Sequence, residues 1–233
     1  MGFSFFLLML VRSVTSLFFR FDIRWLSQQG FEVGKEVRLI VLLNHTSLFE
    51  PVFIRVAPVG MIWWLSRHIL IPGADTTTQR PVVGRFLKFI LPGIVPISRK
   101  RDESWQQFLG QIKADSVVAI MPEGRMKRAD GLDKFGKSMS VKGGVADILQ
   151  HLNGGKILFV YSGGLHHVQS PGQHLPRIFK TIKVNLEMVD ITAYKQAMQA
   201  QPGLDFTTQV VLDMQNRLES KIPYCDEQPC NQK

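Results

Sequence analysis

The chain reads as an α/β protein, a central mostly parallel or mixed sheet flanked by helices, and three observations predict this. Short runs rich in Val, Ile, Leu and aromatic residues alternate with longer stretches of helical pattern, the signature of layered strand–helix units. Asp102, Thr192 and Asp205 stand where helices should start, and Gly73, Gly93 and Gly154 where they should stop. A length of 233 residues suits one such domain with a substantial core, and no repeat or low-complexity segment divides it.

In chain order, residues 3–11 are nearly all apolar before Arg12 interrupts them, which is too short for the about 20 apolar residues of a membrane span. No basic flank or small-residue cleavage site marks a signal peptide. Phe3, Leu7, Leu10, Val14, Leu17 and Phe21 recur at alternating steps of four and three, one stripe of a helix. Phe5, Phe6, Leu8, Met9 and Phe18 widen that stripe, and Arg12, Arg20 and Arg24 are placed to snorkel toward headgroups. Residues 1–32 are therefore expected to form a helical segment lying in a membrane interface, with Phe3, Leu7, Leu10, Arg12, Val14 and Leu17 in contact with lipid. A core helix packed on the domain and a tilted span with Arg12 at its edge are the competing readings.

The main domain is expected over residues 33–222. Runs 37–43, 60–65, 117–121, 156–161 and 180–187 are strand candidates. Runs 47–57, 81–91, 101–113, 144–152, 192–200 and 206–220 are helix candidates. In 81–91, apolar residues cover most of a short helix and leave Arg85 and Lys88 on the remainder, so a core helix and a lipid-facing helix both fit. Residues 223–233 form a polar tail.

The net charge of +9 and the pI near 9.8 call for an anionic partner. Nucleic acid is the poorer fit, because basic residues alternate with long apolar runs and no zinc-finger, RRM or helix-turn-helix pattern occurs. A membrane surface fits better, each nearby Lys or Arg being worth about 1 kcal/mol against anionic lipid. The two cysteines, Cys225 and Cys230, fall in the tail, so a reducing cytosolic setting is expected, with neither a disulfide framework nor a metal site. His166-His167 and His174 lack partners at ligand spacing and read as structural or surface residues.

Two short motifs carry chemistry. Residues 44–50 read Asn-His-Thr-Ser-Leu-Phe-Glu, so His45 ends an apolar strand and Glu50 follows five positions later. Residues 121–125 read Met-Pro-Glu-Gly-Arg, so Glu123 sits in a Pro/Gly turn after another strand. A histidine at a strand's exit lies where ligands bind in α/β folds. A carboxylate reaching back to the ring fixes its tautomer and raises its basicity. No serine or cysteine nucleophile accompanies the pair, which points to deprotonation of a substrate hydroxyl. Backbone amides near residues 44–47 are candidate oxyanion donors.

These motifs resemble those of the glycerolipid acyltransferase family, which includes the lysophosphatidic acid acyltransferases. In that family His-x-x-x-x-Asp precedes Phe-Pro-Glu-Gly-Thr. A third block, Gly93-Ile94-Val95-Pro96-Ile97-Ser98-Arg99, resembles the family's glycine-to-arginine segment, and the three stand in the family's order over roughly residues 37–165. Glu50 replaces the usual aspartate and Arg125 the usual threonine. The family's late valine-proline block is only weakly echoed by Leu158-Phe159-Val160-Tyr161.

The resemblance implies the layered acyltransferase fold and an O-acyltransferase at the cytoplasmic face of a membrane, peripheral or monotopic. Acyl-CoA or acyl carrier protein would supply the thioester, membrane lipids the acceptor, with no metal or organic cofactor. His45 would be the base and Glu50 its orienting group. Arg99 would bind the acceptor's phosphate, with Glu123, Gly124 and Arg125 on the acceptor side and Glu123 holding the phosphate-binding arginines. A lysoglycerophospholipid is the expected acceptor. A glycolipid or aminolipid acceptor, and a noncatalytic basic membrane-binding protein of the same fold, are the alternatives.

Overall fold

The computed structural model describes residues 2–224 except 80, 82, 92, 99, 171, 172, 174, 201 and 202. Its strands are β1 (Arg20–Trp25), β2 (Val37–Leu43), β3 (Ile69–Ala74), β4 (Ile94–Ile97), β5 (Val117–Ile120), β6 (Lys156–Ser162) and β7 (Thr181–Asp190). They form one seven-stranded sheet in the order β1-β7-β6-β2-β5-β3-β4. Neighbours run parallel except β6 and β7, so the sheet is mixed, with β2 at its centre.

The helices are α1 (Gly2–Phe18), α2 (Val59–His68), α3 (Asp75–Thr78), α4 (Val83–Ile90), α5 (Glu103–Gly110), α6 (Gly144–His151), α7 (Ile191–Gln199) and α8 (Phe206–Ser220). Two 3₁₀ helices, Phe31–Glu36 and Glu50–Val56, flank β2 on either side in sequence. Asp102 and Asp205 cap α5 and α8 as expected, accepting from the amides of Ser104 and Thr208. Asp190 takes the capping place expected for Thr192, accepting from Ala193.

Two apolar cores lie on opposite faces of the sheet. Leu39, Val41 and Leu43 of β2 pack with Phe159 and Tyr161 of β6 beneath α5, α6, α7 and α8. On the other face Leu158 and Val160 of β6 and Val184 and Leu186 of β7 meet α1, α2 and the 3₁₀ helix Glu50–Val56. Strand alternation sends successive β2 side chains to opposite faces, so Ile40 and Leu42 turn toward that second layer. Each fully buried aliphatic side chain contributes about 1.5–3 kcal/mol.

The N-terminal segment differs from the expected one. Its helix ends at Phe18, and residues 20–25 become an edge strand paired in parallel with β7. The expected stripe also divides. Phe3, Leu10, Val14 and Leu17 face outward with Phe6. Leu7 is buried beside Leu8, and Arg12 turns inward to the carbonyls of Arg55 and Ala57. The cause is steric: α1 packs on α2 and the 3₁₀ helix, which claim the face that carries Leu7, Leu8, Arg12 and Thr15. Among the described residues no helix is long and apolar enough to cross a membrane.

Residues 60–65, expected as a strand, lie in α2, where buried Met61, Ile62 and Leu65 recur at helical spacing. Short β1, β3 and β4 escape the sequence pattern because charges break β1 and prolines sit in β3 and β4. The sheet tolerates Pro96 because β4 is its edge. Gly93 is required where β3 meets β4, since a Cβ there would stand 1.8 Å from the Ile69 carbonyl oxygen. Val82 and the side chains of Val83, Phe86, Leu87 and Ile90 lie outside the described residues, as do His174, Cys225 and Cys230 and the tail from residue 225.

Candidate active site

Strands β2, β5 and β6 are neighbours and parallel, so their carboxyl ends open on one edge of the sheet. The segment after β2 and the turn after β5 meet there. Asn44 leaves β2 with a φ of 68°, a left-handed conformation that asparagine tolerates better than most residues. Its side-chain amide donates to the Ser162 carbonyl at the end of β6, 2.9 Å away. Its backbone amide donates to Glu123 Oε1 at 2.7 Å, and the next amide, of His45, donates to Glu123 Oε2 at 2.9 Å. One carboxylate after β5 thus grips the chain as it leaves β2.

The turn aims the His45 ring at Glu50. His45 Nδ1 lies 2.5 Å from Glu50 Oε2, while Glu50 Oε1 accepts from the Thr46 amide at 2.9 Å. Glu50 is buried and opens the 3₁₀ helix, where a carboxylate suits the first turn. With Nδ1 facing a carboxylate, Nε2 is the ring nitrogen suited to take a proton from substrate. More distant partners fix the same turn. Thr46 Oγ1 accepts from the Leu165 amide, and the His45 carbonyl accepts from the Lys127 amide at 2.7 Å. The Lys127 carbonyl in turn lies 2.8 Å from His166 Nε2. Burial lowers the His166 imidazole below its ordinary value, which suits a neutral ring donating to that carbonyl.

Glu123 is itself buried. Burial pushes its carboxyl above the usual carboxylate range, against the two backbone hydrogen bonds and the His45 charge, while Glu50's like charge adds to the rise. Among the described residues Glu123 accepts from these two amides rather than from an arginine, so it serves the backbone of the His45 turn. Three of the four expected oxyanion donors are likewise committed: the amides of Asn44, His45 and Thr46 all point at carboxylates.

A cavity of about 310 Å³ opens beside the pair. His45, Glu50, Gly124 and Arg125 line one side of it, and Leu8, Ile40, Leu42, Leu158, Val160 and Leu186 line the apolar wall. Such a shape, apolar with a few convergent polar groups, is that of a ligand site. Gly124 has a φ of 67°, a left-handed conformation that glycine adopts without strain, and the turn it makes carries Arg125 to the cavity.

Arg125 is steered from behind by Asp133, a buried carboxylate that pairs with its Nη1. Burial alone would raise Asp133. The amides of Lys137 and Phe135 and the Arg125 guanidinium overcome it and hold the carboxyl at about 2. The guanidinium also lies over the Phe135 ring, 4.9 Å from its centre. The loop after Arg125 is thus organised around Asp133, whose carboxylate accepts from the Phe135 and Lys137 amides. Arg99 lies outside the described residues.

The structure therefore brings His45, Glu50, Gly124 and Arg125 together on one cavity and sets Glu123 behind them. Sequence reasoning missed the roles of Ser162, Thr46 and Asp133, which act through contacts 8 to 119 positions apart: Asp133 pairs with Arg125 across 8, Ser162 accepts from Asn44 across 118, and Thr46 accepts from Leu165 across 119. Asn44 had a signal, since an asparagine directly after a strand is suited to the left-handed turn.

A family model described as Acyltransferase matches residues 28–162, more than half of the chain and all of the motifs above. The fold is similar to that of the 1-acyl-sn-glycerophosphate (LPA) acyltransferase PlsC from Thermotoga maritima, with a TM-score of 0.51 and 17% identity, covering 91% of this chain and 80% of that one. No curated protein sequence matches the chain.

Proposed function

This chain belongs to the Acyltransferase family, and we propose that it is a glycerolipid acyltransferase, moving a fatty acyl group from a thioester to the hydroxyl of a lysoglycerophospholipid at a membrane surface. The observation that carries this is the 2.5 Å approach of His45 Nδ1 to Glu50 Oε2 at the mouth of an apolar cavity. His45 Nε2 takes the acceptor's hydroxyl proton as its oxygen attacks the thioester carbonyl. The tetrahedral intermediate collapses, the carbon–sulfur bond breaks, and the imidazolium returns the proton to the departing thiolate, which leaves as the thiol of CoA or acyl carrier protein. Glu50 stabilises the imidazolium between these steps. The apolar wall suits an acyl chain.

A phosphorylated acceptor is supported by Arg125 at the cavity and by the net charge of +9. Arginine's planar fork suits a phosphate. Arg99 joins it through its place in the Gly93–Arg99 block. Glu50, standing where the family usually has aspartate, keeps a glycolipid or aminolipid acceptor as the second reading. The outward stripe Phe3, Phe6, Leu10, Val14 and Leu17 supports docking of α1 on the cytoplasmic face of a membrane.

The test is transfer from palmitoyl-CoA and palmitoyl-acyl carrier protein to a panel of lysophosphatidic acid, lysophosphatidylethanolamine, a lysoaminolipid and a lyso-glycolipid, read by mass spectrometry. Fastest acylation of lysophosphatidic acid is expected. Transfer to a nonphosphorylated acceptor alone would replace the first reading by the second, and transfer to none would overturn both.

A further inference from the structure

We propose that Arg12 is a positioning residue for acyl transfer, acting on Glu50 through the 3₁₀ helix between them. The inference rests on the acyl-transfer reading of His45 and Glu50. It does not need α1 to touch lipid.

Arg12 is the single charged residue of α1 and lies on the helix's inner face. Its Nη1 donates to the Arg55 carbonyl at 2.5 Å and the Ala57 carbonyl at 2.9 Å. Both carbonyls stand at the C-terminal end of the 3₁₀ helix Glu50–Val56. Terminal carbonyls lack partners inside a helix, and a cation is favoured there. Glu50 stands at the opposite end, one carboxylate oxygen on the His45 ring and the other on the Thr46 amide. Val52 and Phe53 between the two ends are buried, so both ends belong to one element packed into the domain. Phe53, Ile54, Val56 and Ala57 of this same segment line the cavity.

A guanidinium in this place has a cost. Burial, and then the like charge of Arg55, make its charged form less favourable than in water. Packing of α1 on the domain is already supplied by Leu7 and Leu8. What Arg12 adds is directional: two hydrogen bonds to the far end of the element whose near end orients the base.

The experiment compares the full chain with the Arg12→Gln, Arg12→Lys, Glu50→Gln, Arg12→Gln/Glu50→Gln and His45→Ala variants. Each is assayed with palmitoyl-CoA and the panel acceptor that the wild-type chain acylates fastest, and each is melted in parallel. Arg12→Gln is expected to lower kcat about tenfold while changing either KM less than about threefold, since the loss concerns the base and not ground-state binding. Arg12→Lys, which keeps a charged donor, should recover part of it. In the Glu50→Gln background, Arg12→Gln should lower kcat by less than about twofold more, because two residues acting through one contact are not additive.

Full kcat in Arg12→Gln, or an undiminished tenfold loss in the Glu50→Gln background, overturns the inference. So does failure of both Arg12 variants to fold, which would make the residue purely structural. Transfer by His45→Ala at the wild-type rate, or no transfer by the wild-type chain, would instead overturn the acyl-transfer reading itself.

Discussion

Glu123 holds His45 by the backbone: its two carboxylate oxygens accept from the amides of Asn44 and His45, at 2.7 and 2.9 Å. The second motif therefore supports the first. A buried carboxylate after β5 converts the end of β2 into a fixed turn, and the turn presents the imidazole to Glu50.

Glu123→Ala leaves two amides without their charged acceptor, and a loss of about 2–4 kcal/mol of stability is expected, together with most of the activity. Glu123→Gln should fare little better, because its NH₂ group would face an amide donor. Chemical denaturation and turnover measured on the same samples check this. Full stability in Glu123→Ala would show that the turn does not depend on the carboxylate.

Asp133 gives a pH signature. Its carboxyl is held at about 2, below its ordinary 3.8, by the Lys137 and Phe135 amides and by Arg125, which together outweigh burial. A folded value below the unfolded one means stability that is present above 3.8 and lost as pH falls toward about 2. Asp133→Asn should melt lower at neutral pH and lose part of the wild-type decline in acid. It should also raise the KM of an anionic acceptor, since Arg125 loses its anchor. Parallel melting curves of the two proteins through acid would count against this role.

The two faces of α1 should separate stability from membrane binding. Leu8→Ala opens the core and should cost about 2–5 kcal/mol. Leu10→Ser and Leu17→Ser, on the outward face, should change stability by no more than about 0.5 kcal/mol. They should reduce sedimentation with anionic vesicles by up to about tenfold each, the worth of a buried leucine. Unchanged sedimentation would show that the outward stripe does not bind lipid.

Arg99 enters through its motif. Arg99→Ala should raise the acceptor's KM far more than the thioester's, a charged hydrogen bond being worth roughly 1.5–3 kcal/mol. Arg99→Lys should recover only part, for want of the fork. A rise confined to the thioester's KM would assign the arginine to the CoA phosphates.

The sequence made legible whatever local pattern controls. β2 runs over residues 37–43 and α8 over 206–220 as expected, because each is long, periodic and bounded by clear start or stop residues. His45 and Glu50 were legible because five residues of chain bring them together. What stayed hidden depends on tertiary choice. The apolar run 60–65 suits strand or helix until α1 packs on it. Arg12 reads as a snorkelling residue until the carbonyls of Arg55 and Ala57 are beside it. The motif names Glu123 but not its work, since the amides it binds lie 79 and 78 positions earlier.

The most direct test of a His45 base is the rate of acyl transfer by His45→Ala, measured in single turnover beside a thermal melt. A general base predicts a fall of about 10²–10⁴-fold with an unchanged melt, because the group removed does chemistry rather than packing. Transfer within a few-fold of wild type by a fully folded His45→Ala protein would contradict it.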